Sequence, residues 1–523
     1  MDRRKFLLAT GAGSAISVMD WLSFFKAFGV PGGPKELGIA SAIAQQAATP
    51  HYLIYWFLEG GWDGYSMFNP VVTRNDAVAK VGGASAIYRP VGAKYDGSGN
   101  YQPTKTGNIT AGHLAETGAS LLADASVISS HKGGTFHSGS RLNYHYGTYS
   151  GMNPQGKRTE DERTVMQAFC EEYGSSYLLP HISWHRWLAD GELSEANYPE
   201  GTGYYEKLGP PHAHTQYGGP PQAMRDRITQ IRASKGNARD ARVHKFVDNL
   251  YTNFMKDKNS ETVKAFNSAV QIHTTQAGKG SNIEPSTLFT DATLKTEFNV
   301  QAKDEMTSAT VVNGNPARSK NSPHTNVQAM MTYEMIKNNL GIGFFIESRD
   351  VRAFDSHRNR AFVFGQGGQY NQKNLMDANL WNPLKALVNR LKTSNHPATG
   401  KPFWDYTTIV LCSEMGRSLG GEDDDVCKHW EVSSTAFLGG TVKAGTQFGR
   451  VGTQSLEGIP MLPTGALDPN YDANTGMLLA GKSKAAESYV SDAGHVYATA
   501  LACSGIAAPK GKNARPAMQF VKK

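Results

Sequence analysis

Five side chains in this sequence have the chemistry to hold a divalent cation: Asp63, Asp355, His357, Glu414 and His429. Three offer carboxylate oxygens and two offer imidazole nitrogens, a donor set that suits Zn, Mn or Ca without choosing among them. Asp63 lies in GGWDG, Asp355 and His357 in AFDSH, Glu414 in SEMGR and His429 in CKHW. An Asp-x-His pair presents a hard oxygen and an imidazole together, although an Asp that merely orients a His has the same spacing. A second group, HKGGTFHSGS at 131–140 with Asn143-Tyr144-His145 behind it, mixes imidazoles and hydroxyls. A nucleophile with its base has that composition, and so does a polar surface loop. Arg417 offers a guanidinium fork three residues after Glu414, for an anionic ligand or for Glu414 itself.

These residues need elements that bring them together. Residues 51–58 (HYLIYWFL), 125–130 (ASVISS), 342–347 (IGFFIE), 409–411 (IVL) and 433–440 (SSTAFLGG) read as short buried strands. Helical spacing marks 158–173 with Thr159 as a cap, 324–340, a helix capped by Asp377 and running through Leu391, and 491–503 capped by Ser491 or Asp492. Alternation of helix and strand over 324–440 predicts an α/β fold with a mostly parallel central sheet flanked by helices. Charged amphipathic segments between 221 and 275 predict a helical insertion within 174–320. In a parallel sheet the carboxyl ends of the strands share one edge, where ligands bind. Asp63, Asp355, His357 and Glu414 each follow a strand, so one edge would collect them, with His429 in a nearby loop.

Composition narrows the function classes. The chain has 523 residues, a formal charge of +7, 55 glycines and 24 prolines, and its basic residues are scattered. Nucleic-acid proteins cluster Lys and Arg with interleaved aromatics, and no such footprint is present. No G-x-G-x-x-G follows a strand, which leaves little support for an oxidoreductase that uses a dinucleotide. Four cysteines are too few for a disulfide scaffold, although Cys412 and Cys427 flank the SEMGR loop and could bridge it in an oxidising compartment. At the N-terminus, Arg3-Arg4 precede Phe6-Leu7-Leu8 and a weakly apolar stretch interrupted by Asp20. The pattern is that of a twin-arginine signal, with Ala42-Ile43-Ala44 as the cleavage motif and residues 45–523 as one mature domain. The expected protein is periplasmic or extracellular, delivered by the twin-arginine translocase, with no stable membrane span after cleavage.

Taken in order, the export signal, GGWDG, AFDSH, SEMGR and the terminal HVYATALACSGI resemble the bacterial domain of unknown function 1501 family. That family is similar to the alkaline phosphatase/sulfatase superfamily, and the likeness covers nearly all of residues 50–508, least well in 174–320. It implies one or two divalent metal ions held by Asp63, Asp355, His357, Glu414 and His429, with Arg417 steadying Glu414 or an anionic substrate. His137 matches the histidine of a Ser-His-Phe segment, but Phe136 stands where the family has Ser. The expected hydroxyl is therefore shifted to Thr135 or Ser138, or is missing. Lys428 replaces a carboxylate before His429, and no C-x-P-x-R formylglycine signature occurs. The resemblance implies an exported metal-dependent hydrolase of phosphate or sulfate esters, small or polymeric. The alternative is a non-catalytic exported protein that keeps the fold to bind a metal, a glycan or a partner.

Overall fold

The computed structural model describes residues 50–58, 60–70, 94–95, 101–135, 140, 143–145, 147, 164–174, 177–184, 215–217, 219–233, 283–305, 311–312, 315–316, 323–347, 372–417, 429–452, 458–473, 475–507 and 515–523. Its centre is β1 (Tyr52–Leu58), whose seven residues YLIYWFL are all fully buried. A strand enclosed on both faces and both edges must be apolar throughout, which is why this run carries no alternation. Successive side chains still point to opposite faces. Trp56 donates its indole N–H to the Asn379 carbonyl at 3.1 Å on one side, while Tyr55 lies near Tyr497 on the other.

Seven further strands complete the sheet: β2 (Ala125–Lys132), β3 (His181–Ser183), β4 (Thr215–Tyr217), β5 (Gly343–Glu347), β6 (Thr407–Ser413), β9 (Val432–Leu438) and β10 (Thr446–Phe448). Between β6 and β9, two short strands, β7 (Gly416–Arg417) and β8 (His429–Trp430), form a separate antiparallel ribbon. The order across the sheet is β10-β2-β9-β6-β1-β5-β3-β4. β1 is parallel to β5 and β6, β5 to β3, β3 to β4, and β10 to β2. Only β9 runs the other way, antiparallel to both β6 and β2. The fold is α/β with a mixed, mostly parallel sheet. Reversal of β9 brings its first residues, not its last, to the carboxyl edge of the other strands.

Helices α1 (Val165–Tyr173) and α5 (Ala493–Cys503) pack together beside β5 and β6, while α3 (Thr325–Lys337) and α4 (Asn382–Thr393) pack together, with α3 against β5. A further helix, α2 (Pro221–Ala233), lies in the stretch expected to be a helical insertion, and the same stretch supplies the sheet with β3 and β4. Several caps differ from expectation. Thr164 accepts from the Gln167 N–H and opens α1, five residues after Thr159, which lies outside the described residues. Asp377 caps nothing; it sits within a continuous helical run as the first residue of a π-helical turn, Asp377–Trp381, and its carboxylate binds Lys373. Asp492 is the cap of α5. Cys412 is a free buried thiol on β6, and Cys427 lies outside the described residues. Among the described residues no helix is long and apolar enough to cross a membrane.

Candidate functional site

The register sets the site. Leu58, the last residue of β1, lies opposite Ser413, the last of β6, so the chains leaving both strands run side by side. Gly60 and Gly61 turn with φ of 103° and 81°, values that other residues adopt only with strain. A Cβ on Gly61 would also lie 2.4 Å from Met415 Cγ. Residues 413–417 clamp this turn through its backbone. Ser413 Oγ donates to the Leu58 carbonyl at 2.5 Å and accepts from the Trp62 N–H at 3.0 Å. The Glu414 carboxylate accepts from the Gly60 N–H. Arg417 donates Nε to the Gly61 carbonyl at 2.8 Å and an Nη to the Gly60 carbonyl. Both charged side chains are enclosed, at 0% and 1% exposure.

The clamp delivers Asp63, itself 4% exposed, to the start of a one-turn helix, Gly64–Met67. Its Oδ1 accepts from the Tyr65 N–H at 3.1 Å and its Oδ2 from the Ser66 hydroxyl at 2.7 Å. Each oxygen has a second lone pair beyond those bonds.

β2 feeds the same edge. After Lys132 the chain is held by the Gly133 N–H, which donates to Glu431, and by Asn143, whose amide donates to the Gly133 carbonyl. Gly133 must be glycine, because a Cβ there would come within 2.7 Å of both the Glu414 carbonyl and the Tyr144 hydroxyl. His429, paired with Arg417 across the β7–β8 ribbon, donates Nδ1–H to the Thr135 carbonyl at 3.0 Å. In the neutral ring that bond places the lone pair on Nε2, the state an imidazole needs as a ligand or base.

Beneath this edge His131 contacts the Tyr144 hydroxyl and lies 3.2 Å from the Thr435 hydroxyl. Burial drives the His131 pKa down to about 3 and lifts that of Tyr144 well above its ordinary value. Both are uncharged near neutral pH and form a neutral polar floor.

Five expected site residues, Thr135, Asp63, Glu414, Arg417 and His429, are thus assembled along one edge by contacts among residues 60–64, 133–135 and 413–417 and the β7–β8 ribbon. His137, Ser138, Asp355 and His357 lie outside the described residues. Among the described residues no three His, Cys, Asp or Glu side chains converge so as to hold a metal ion. Asp63 and His429 fit such an ion in kind, as an enclosed carboxylate and an imidazole; of the expected set, Glu414 is engaged by the Gly60 N–H, and Asp355 and His357 lie outside the described residues. Sequence reasoning passed over the clamp role of Ser413, which has no side-chain signature because its partners are backbone atoms. It also passed over Ser433 and Ser434, which with Thr435 place three consecutive hydroxyls in a fully buried strand.

The sequence model of a family described as "Protein of unknown function (DUF1501)" matches residues 51–457. No curated protein matches the chain. Among solved structures, the phosphonate monoester hydrolase of Agrobacterium radiobacter is similar at 11% identity and a TM-score of 0.33, over 90% of this chain and 77% of that one. The phosphonate monoester hydrolase of Silicibacter pomeroyi is similar at 12% identity and a TM-score of 0.30, over 77% and 70%. The protein BT4656, solved with its substrate D-glucosamine-2-N,6-O-disulfate, is similar at 10% identity and a TM-score of 0.33, over 90% and 80%.

Proposed function

The chain belongs to the DUF1501 family, and from the residues gathered at its sheet edge we propose that it is a hydrolase acting on a phosphate or sulfate ester. The observation that supports this is that Asp63 follows β1, and the hydrogen-bonded pair Thr135 and His429 follows β2 and sits on the ribbon, all at the edge where α/β sheets bind ligands. In this proposal Asp63, Asp355, His357 and His429 would hold one or two divalent ions, with Glu414 beside them. Such an ion, when bound, polarises an ester oxygen and lowers the pKa of an attacking hydroxyl or water. The chain's own residues have separate tasks. Glu414 and Arg417 hold the Gly60–Gly61 turn, and that turn fixes where the Asp63 carboxylate stands. The Thr135 carbonyl sets the His429 tautomer. The Thr135 hydroxyl, buried and without a hydrogen-bond partner among the described residues, is one of the two candidates for the family's shifted hydroxyl, Ser138 being the other. Arg3-Arg4 support delivery by the twin-arginine translocase to the periplasm or beyond.

A second reading, a non-catalytic exported protein that binds a metal, a glycan or a partner, is favoured by Phe136 in the place of the family's serine and by Lys428 beside His429. Elemental analysis of the purified chain, paired with a panel of aryl phosphate, phosphonate and sulfate esters before and after chelation, separates the two. Bound divalent metal and chelator-sensitive turnover are expected. Bound metal with no turnover on any ester would favour the second reading, and full turnover in the metal-free protein would overturn the metal dependence.

A further inference from the structure

Ser433 and Ser434, the second and third residues of β9, are 1% and 0% exposed, and neither hydroxyl has a hydrogen-bond partner among the described residues. Buried polar groups are almost always paired, so two adjacent orphans on one strand need a reason. Their position supplies one. Pairing of β9 with β2 slips here: Ser433 lies opposite His131 and Thr435 opposite Ile128, so two steps along β9 match three along β2. The extra residue is on β2, opposite Ser434, and bulges of this kind recur beside active sites. Because β9 runs against the sheet, the slip falls at the edge that carries Asp63. Ser434 Oγ is 3.7 Å from the point where a Cβ on Gly64 would stand, and Gly64 directly follows Asp63. A side chain on Gly64 would narrow the space between that hydroxyl and the turn.

We propose that Ser434 is a substrate-binding residue, whose hydroxyl donates to a non-bridging oxygen of the tetrahedral anionic head of the ester, phosphate or sulfate. This rests on the ester-hydrolase reading of the same edge. The hydroxyl's missing partner is the ligand oxygen, and the irregular β2–β9 pairing falls where Ser434 meets the Asp63–Gly64 step. An orphan donor kept for a ligand costs stability, so its removal should help the fold while it harms binding.

Ser491 is the internal comparison, since its buried hydroxyl is paired, donating to the Ser130 carbonyl at 3.0 Å. Orthophosphate and sulfate are titrated calorimetrically into the full chain and into Ser434→Ala and Ser491→Ala variants, with melting temperatures measured alongside. Ser434→Ala is expected to weaken the anion that the wild type prefers by about tenfold or more, the worth of a charge-assisted hydrogen bond, with an equal or higher melting temperature. Ser491→Ala should lower the melting temperature and leave affinity alone. Which anion binds more tightly tells a phosphate site from a sulfate site. Unchanged affinity in Ser434→Ala, or a melting-temperature loss like that of Ser491→Ala, overturns the inference while leaving the ester site standing. No binding of either anion by the wild type overturns both.

Discussion

Two clusters in this molecule join a carboxylate, a histidine and an arginine, and they are built differently. At the start of α5, Asp492 accepts from the His495 N–H at 3.2 Å and from Arg515 Nε at 2.8 Å, and the His495 ring closes a capping box. Tyr489 stacks on that ring at 4.8 Å. Burial opposes ionisation of Asp492, but hydrogen bonding and charge from His495 and Arg515 outweigh it and hold the carboxyl below its ordinary value. Here the polar atoms serve the helix that carries them. At the edge beyond β1 and β6, Glu414 and Arg417 reach across to the backbone of a different segment, and around them the Ser433, Ser434 and Thr135 hydroxyls and the Trp62 indole N–H have no partner. A cluster that exists for the fold satisfies itself; one that leaves several buried donors unmet has capacity for something that is not protein.

The largest effect that would sharpen this contrast is loss of the clamp. Arg417→Ala removes the donors to the Gly60 and Gly61 carbonyls and leaves both acceptors enclosed and unmet. A cost of roughly 1–3 kcal/mol for each carbonyl is expected, the range for a buried polar group that loses its partner, read by denaturant unfolding. A loss below about 1 kcal/mol, the scale of exposed pairs, would mean that the turn holds itself. Asp492→Asn should cost less, about 1–2 kcal/mol for a weakened cap and lost charge, and it should do so with a particular pH dependence. Because the folded carboxyl titrates below its unfolded value, its contribution is complete above the ordinary carboxylate pKa, about 3.9. It fades as pH falls through the depressed folded value. The stability gap between wild type and Asp492→Asn should therefore be constant near neutral pH and close in acid. A gap that widens in acid would contradict the assignment.

Legibility followed burial. β1 and β6 were readable because strands enclosed by the sheet are continuous apolar runs, and the residues after them were readable as edge residues for the same reason. β3, β4 and β10 (HIS, TQY and TQF) are three residues long and carry no such run. They exist through pairing with neighbours distant in sequence, which no local pattern records. SSTAFLGG reads as a strand but not as one that runs backwards, since hydrophobic pattern is blind to direction. SEMGR reads as site chemistry from sequence, whereas in the structure Glu414 and Arg417 bind backbone atoms of Gly60 and Gly61, partners without side chains to betray them. Thr164 displaced Thr159 as the cap of α1 because either threonine satisfies the same rule.

The most direct test of the site is steady-state hydrolysis of aryl phosphate and aryl sulfate esters by the wild type and by Asp63→Asn. Asparagine keeps an oxygen for the Tyr65 N–H but removes the negative charge at the place where the turn delivers it. The expected result is turnover in the wild type on one ester class and a loss of at least about 10²-fold in the variant, the scale of a group that acts on the transition state, with folding intact. Equal turnover in the two proteins would contradict the claim that the β1–β6 edge is where the chemistry occurs.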